Sequence, residues 1–258
     1  MYFHQRSDWP NFTWDNNLLL PHVSAVRDLQ GRLIGRMEGL GFELRDEAVL
    51  ETITVDVVKS SEIEGEVLNP LEVRSSVARR LGMEVSGLPA AGSDTEGVVE
   101  MMMDATQNYK APLSKERLCD WHAALFPTGR SGTQKITVGD WRDGPMQVVS
   151  GPMGREKVHY TAPEAYLIEA EMKKFLHWFN TTDDLEPVIK SAIAHLWFVS
   201  IHPFDDGNGR IARAIADCQL ARADRTNQRF YSISSQIMQS KKEYYNTLEA
   251  TQKGGIDI

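Results

Sequence analysis

Residues 187–221, PVIKSAIAHLWFVSIHPFDDGNGRIARAIADCQLA, read as two helices joined by a loop, and that reading sets the fold class. The first half is a buried helix that delivers His202 at its end. Pro203 stops it, because proline lacks the N–H that a helix needs and crowds the preceding turn. FDDGNG (204–209) is a loop, and NGRIARAIADCQLA starts the next helix, with Ile211, Ile215, Cys218 and Gln219 as a partly apolar stripe.

Working outward, helical spacing continues on both sides. Residues 163–180 suit one further helix and 236–251 a last one. NNLLLPHVSAVRDLQGRLIGRMEGLGF (16–42) places Val23, Val26, Leu29, Leu33 and Ile34 at helical spacing until GLG halts it. DEAVLETITVDVVKSSEIEG (46–65) repeats the period through Val49, Leu50, Ile53 and Val57, and NPLEVRSSVARRLG (69–82) has Asn-Pro at its start and glycine at its end. Residues 94–109 and 115–125 suit two more, with LPAAGS (88–93) as a loop. The period breaks in KITVGDWRDGPMQVVSGPMGREKVHYTAP (135–163), where WRDGPMQVV reads as a small hairpin turning at Asp143-Gly144. The expected architecture is all-α, one compact helical bundle with a small embedded β-hairpin. Residues 1–40 are an N-terminal helical segment packed on the core, and 41–258 the main domain.

Composition sets bounds. The chain has 258 residues, 41% hydrophobic and 25% charged, which is enough apolar side chain for a real core. A net charge of -8 argues against sequence-independent nucleic-acid binding, which runs on lysine and arginine. Cys119 and Cys218 form no CxxC pair, so a reducing, cytoplasmic setting is expected. The opening MYFHQRSDWP is no signal peptide, and no apolar run is long enough to span a membrane.

The chemistry gathers in HPFDDGNGRIAR (202–213). A glycine-rich loop entering a helix presents free N–H groups and the positive end of the helix dipole, which is an anion site suited to phosphate. Gly207 and Gly209 allow close backbone approach, and Asn208 could add a side-chain donor. Arg210 and Arg213 lie three apart at the first turn, where cations oppose the dipole unless an anion or an acidic side chain compensates. A carboxylate beside phosphate calls for a divalent cation between them. Asp206 is the better candidate for it, with Asp205 facing elsewhere. His202, with an ordinary pKa near ~6.5, can take a proton from a hydroxyl at neutral pH. Together these groups describe phosphoryl or nucleotidyl transfer to a hydroxyl.

The same stretch resembles the Fic family signature, H-P-F-x-[D/E]-G-N-G-R-x-x-R, at every fixed position. The resemblance implies a Fic-type all-α bundle that transfers AMP from ATP to a hydroxyl side chain of a target protein. His202 would deprotonate the hydroxyl, and Asp206 would hold Mg²⁺ or Mn²⁺ against the phosphates. Asn208, Gly207 and Gly209 would form the anion hole, Arg210 would bind phosphate, and Phe204 would anchor the loop in the core, with Phe204 and Arg213 also counted among the nucleotide-binding residues. The related Doc kinases carry lysine in place of the second glycine, so Gly209 points to AMP transfer.

KSSEIEGEV (59–67) resembles the family's inhibitory motif, [S/T]-x-x-x-E-[G/N], through Ser60, Glu64 and Gly65. By that resemblance a helix over about 46–64 brings Glu64 to Arg213 and blocks the productive γ-phosphate position. The segment 138–150 resembles a flap that registers a target strand through Met146, Gln147 and Val148. KKEYYNTLEATQKG (241–254) resembles the helix closing the adenine and ribose end, with Tyr245 and Gln252 lining it. WPNFTWDNNLLLPHVSAVRDLQGRL (9–33) looks like the N-terminal segment of one Fic subgroup. Relatives usually continue past KGGIDI, so a further C-terminal domain is expected to be absent.

The expected partners are ATP and a hydroxyl-bearing target protein, the chain itself included, with a homodimer as the candidate assembly. Two other readings use the same residues. One is a de-AMPylating enzyme in which Glu64 positions water. The other is a non-catalytic nucleotide-sensing module, against which the intact His202 speaks.

Overall fold

The computed structural model describes residues 1–152 and 154–258. Among the described residues it is an all-α bundle of ten α-helices with two small antiparallel hairpins. The helices are α1 (Asn16–Glu38), α2 (Phe42–Ile63), α3 (Pro70–Arg80), α4 (Ser93–Gln107) and α5 (Lys115–Leu125), followed by α6 (Ile168–Thr181), α7 (Pro187–Ile201), α8 (Asn208–Asp224), α9 (Ile233–Gln239) and α10 (Lys241–Lys253). Between α5 and α6 run β1 (Arg130–Ser131), β2 (Gln134–Lys135), β3 (Gln147–Ser150) and β4 (Lys157–Thr161).

Several helix starts follow from their capping residues. Asp15, Asn69, Ser114 and Ser232 each accept a backbone N–H of the following first turn, as does Glu186, whose carboxylate takes the amides of Val188 and Ile189 at 2.7 and 3.0 Å. Pro70 and Pro187 sit just inside their helices, where the missing N–H costs nothing.

The axis of the bundle is α8. It is buried from Arg210 to Ala221, with α7, α4, α2, α5 and α9 packed around it. Gly97 on α4 lets α5 come close: a Cβ there would lie 1.8 Å from the Ala124 carbonyl oxygen. The N-terminus is held by aromatic packing, with Phe3, Trp9 and Phe12 clustered and the last two against Trp197 of α7.

The structure departs from the sequence reading at five points. The hairpin does not turn at Asp143-Gly144: β3 pairs with β4, so the reversal lies between Ser150 and Lys157. Residues 141–144 stay irregular because Arg142 is drawn inward, its Nη1 donating to the Gly144 carbonyl at 2.6 Å. The helix expected over 236–251 is two, broken at Ser240, and that expected over 163–180 opens with a 3₁₀ turn at Ala165–Leu167. A second hairpin, β1–β2, is too short for periodicity to reveal. The apolar stripe of α1 is also not core. Leu19, Val23, Val26, Leu29 and Leu33 line a cavity of about 860 Å³ shared with α7, α8, α9 and α10, and Leu29 remains 66% exposed.

Candidate active site

The site forms where α7 gives way to α8. His202 ends α7 in the left-handed region, φ 52° and ψ 59°, its amide donating to Phe198 O at 3.0 Å. Such a conformation costs a β-carbon-bearing residue on the order of 1–2 kcal/mol. Arg142, only 2% exposed, holds it there. Its Nε donates to His202 O at 2.8 Å, its Nη2 to Pro163 O at 2.6 Å, and its amide to Pro203 O at 2.9 Å. One buried guanidinium thus ties the backbone at His202 to the segments on either side of the β3–β4 hairpin.

The His202 ring is defined by its neighbours. Nδ1 lies 3.0 Å from Val199 O, and a carbonyl can only accept, so Nδ1 carries the proton and Nε2 keeps its lone pair. Burial pushes the pKa below the ordinary histidine value. The Val199 bond opposes this and the nearby Arg142 charge adds to it. The imidazole is therefore neutral at pH 7 and able to accept a proton.

Phe204 is fully buried, stacked on His122 at 4.2 Å and 6° and lying 4.9 Å from Trp141. It anchors the loop, and its buried ring offers no surface to a nucleotide. Asn208 is also turned to bracing: its Oδ1 accepts from Phe204 N at 3.0 Å and its Nδ2 donates to Phe204 O at 2.8 Å. Gly207, at φ +79°, must be glycine, since a Cβ there would meet the Phe126 ring at 2.9 Å.

The two aspartates divide their work. Asp205 Oδ2 accepts from Thr137 N at 2.8 Å, fastening the loop to the irregular segment after β2. Asp206 takes Gly207 N at 2.6 Å on Oδ1 and the Ser131 hydroxyl on Oδ2. The β1–β2 hairpin therefore orients Asp206, a part that the sequence signals only through the glycines of TGRSGT (128–133).

The first turn of α8 has no side-chain cap, so its N–H groups face the site with the dipole behind them. Two arginines stand beside it, each with a carboxylate. Arg213 Nη2 lies 2.8 Å from Glu64 Oε1, while its Nε and Nη2 donate to Ser60 Oγ and Ser60 O at 2.9 and 2.8 Å. Burial opposes the Arg213 charge, and the Glu64 carboxylate together with Tyr244 and Tyr245 offsets it, holding the pKa above its ordinary value. Glu64 sits so close to α8 that a Cβ on Gly209 would fall 2.1 Å from its Oε1. Arg210 pairs with Glu66 through Nη1, a partner the sequence reading missed although EGE (64–66) holds both acids. The opposition of cations and dipole is thus relieved twice.

The remaining expected residues separate. Tyr245 stands beside the Glu64–Arg213 pair, its hydroxyl pushed up to about 12 by burial first and the Glu64 charge second. Gln252, about two turns further along α10, is buried against α7, donating to Ser200 Oγ at 3.0 Å. On the hairpin, Met146 and Val148 pack on the cluster of Phe3, Tyr160, Leu196 and Ile256. Gln147 faces outward and bonds Thr161 Oγ1 at 3.3 Å. His159 on β4 joins Glu249 on α10, which fixes the hairpin to the helix carrying Tyr245.

The chain is similar to known proteins in sequence and in fold. The Fic/DOC family matches residues 112–220, and a family described as "Domain of unknown function (DUF4172)" matches residues 2–83. The protein adenylyltransferase Fic of Drosophila grimshawi is 37% identical over 87 residues, covering 33% of this chain and 17% of that protein. The chain therefore spans about a sixth of the length of that relative (17%). Two solved structures share the fold. A Fic domain containing signaling protein from Bacteroides thetaiotaomicron has TM-score 0.64 at 21% identity, over 86% of this chain and 80% of that one. A Fic family protein from Desulfovibrio desulfuricans has TM-score 0.61 at 24% identity, over 88% and 66%.

Proposed function

This chain carries a Fic family domain, and from that premise we propose that it is a protein adenylyltransferase held idle by its own Glu64. The observation that supports this most is the juxtaposition of a histidine with a free Nε2 lone pair and an uncapped helix N-terminus whose Arg213 is paired with Glu64.

In the proposed reaction His202 Nε2 takes the proton of a target hydroxyl. The oxygen attacks the α-phosphorus of ATP, the new O–P bond forms, and the bond to the β,γ-phosphates breaks to release pyrophosphate. The free N–H groups of α8, Arg210 and Arg213 neutralise the developing charge. Asp206 fits a divalent-cation ligand: Gly207 N and the Ser131 hydroxyl fix its carboxylate and leave a lone pair on each oxygen, and one carboxylate with phosphate oxygens and water suits Mg²⁺. When bound, Mg²⁺ or Mn²⁺ would supply positive charge to the triphosphate. The outward Gln147 and the open edge of β3 would register an extended target segment.

No helix among the described residues is long and apolar enough to cross a membrane, and the free thiols of Cys119 and Cys218 suit a reducing cytoplasm. The reverse reading, removal of AMP, draws on the seating of Glu64 against Gly209, where a carboxylate could position water.

The test is a pair of reactions of the Glu64→Gly protein with a cell extract, Mg²⁺ and ATP labelled at either the α or the γ phosphorus. Label entering protein from the α position alone supports AMP transfer. Label from the γ position, or none from either, contradicts it.

A further inference from the structure

The resemblance accounts for an acid on Arg213 and for none on Arg210. Arg210 is nonetheless the more exacting case. Its side chain is 3% exposed, its guanidinium lies 5.1 Å over the Phe126 ring, and its Nε has no hydrogen-bond partner. Among the described residues its one charged partner is Glu66, with Nη1 to Oε2 at 2.5 Å. A buried cation at a helix N-terminus is doubly unfavourable, so this pairing is what settles it when no anion is bound.

The backbone explains how one short segment reaches both arginines. The amides of Glu64 and Glu66 both donate to Ser61 O, each at 3.0 Å, and Gly65 between them takes φ +88°. The chain doubles back around a single carbonyl and sends carboxylates from either side of Gly65 to arginines three residues apart on α8. Residues at that spacing share a helix face. The two acids differ in setting. The Glu66 side chain is 45% exposed and that of Glu64 30%, so Glu66 reaches Arg210 from the solvent side and can return to water when displaced.

We infer that Glu66 is a second counter-ion, separate from Glu64, that competes with the phosphates of a nucleotide for Arg210. Glu66 then sets how tightly a nucleoside polyphosphate binds, while Glu64 restrains the transfer step. The inference rests on the reading that such a nucleotide binds at the start of α8.

The experiment is calorimetric titration of the whole chain with ADP and Mg²⁺, and separately with adenosine as a phosphate-free probe. The proteins are wild type, Glu66→Gln, Glu66→Asp and Glu64→Gly. Glu66→Gln is near-isosteric and should bind ADP roughly tenfold tighter, the worth of one charge-assisted hydrogen bond no longer competed for. Its adenosine affinity should match wild type, and Glu66→Asp, which keeps the charge, should bind ADP between the two. ADP affinity in Glu66→Gln equal to or below wild type would overturn the inference and leave the proposed function standing. An equal gain for adenosine would also overturn it, since it would mean that space and not charge had been released. No ADP binding by any of the four proteins would overturn both.

Discussion

The first turn of α8 and the whole of α1 carry opposite relations between sequence and surroundings. At α8 the chain buries two arginines, and each finds a carboxylate, Arg213 on Glu64 and Arg210 on Glu66. At α1 it places a regular apolar stripe on a well-capped helix, and that stripe lines a cavity instead of meeting side chains. Its ties to the bundle are polar: Arg27 to Glu186 at 3.2 Å, and Gln30 to Asp224 and Tyr231 at 2.6 and 2.7 Å. Periodicity reports that a helix exists and says nothing about what faces it. A buried charge is more informative, because leaving it unpaired is costly enough that a partner must be near.

The contrast should appear first in stability. Ile215→Ala on α8, at 0% exposure, should cost about 2–5 kcal/mol, because the tightly packed surroundings cannot close the void. Leu29→Ala on α1, 66% exposed, should cost no more than about 0.5 kcal/mol. Urea unfolding of the two variants measures both, and equal losses would mean that the cavity beside α1 is closed in solution.

A smaller effect should follow pH. Burial pushes His122 down to about 4 and His195 to about 3, and lowers His202 as well. Unfolded histidines take protons below about pH 6.5 while these buried ones resist, so the unfolded state binds more protons in that window. Stability is therefore complete above the unfolded value and falls as pH drops from there towards the folded values. His122 alone should contribute a slope of about 1.4 kcal/mol per pH unit between about 6.5 and 4. His122→Phe, which keeps a ring against Phe204, should flatten the profile by that amount. An unchanged slope would mean that the His122 ring is free to take a proton in the folded state.

Legibility in the sequence follows the same division. The helices from α2 to α8 were readable because apolar spacing and capping residues agree locally, as at Asn69-Pro70. The loop was readable because glycine, asparagine, arginine and histidine together have few other uses. The hairpin was misplaced because Asp143-Gly144 is a turn dipeptide by local preference. The fold overrides that preference by drawing Arg142 in to His202, Pro163 and Gly144. Ser131 on Asp206 and Thr137 on Asp205 were invisible because their contacts join residues far apart in the chain. Glu66 is invisible for the same reason, its partner Arg210 lying 144 residues further along the chain.

The central claim is that the site is complete and restrained by Glu64. The most direct measurement is the initial rate of pyrophosphate release from ATP and Mg²⁺, in the presence of acceptor protein, by wild type, Glu64→Gly and Glu64→Gly/His202→Ala. The account predicts a rate for Glu64→Gly at least about tenfold above wild type, and a loss of about 10²–10⁴-fold when His202 is also removed. A Glu64→Gly protein no faster than wild type, or a double variant as fast as Glu64→Gly, would contradict it.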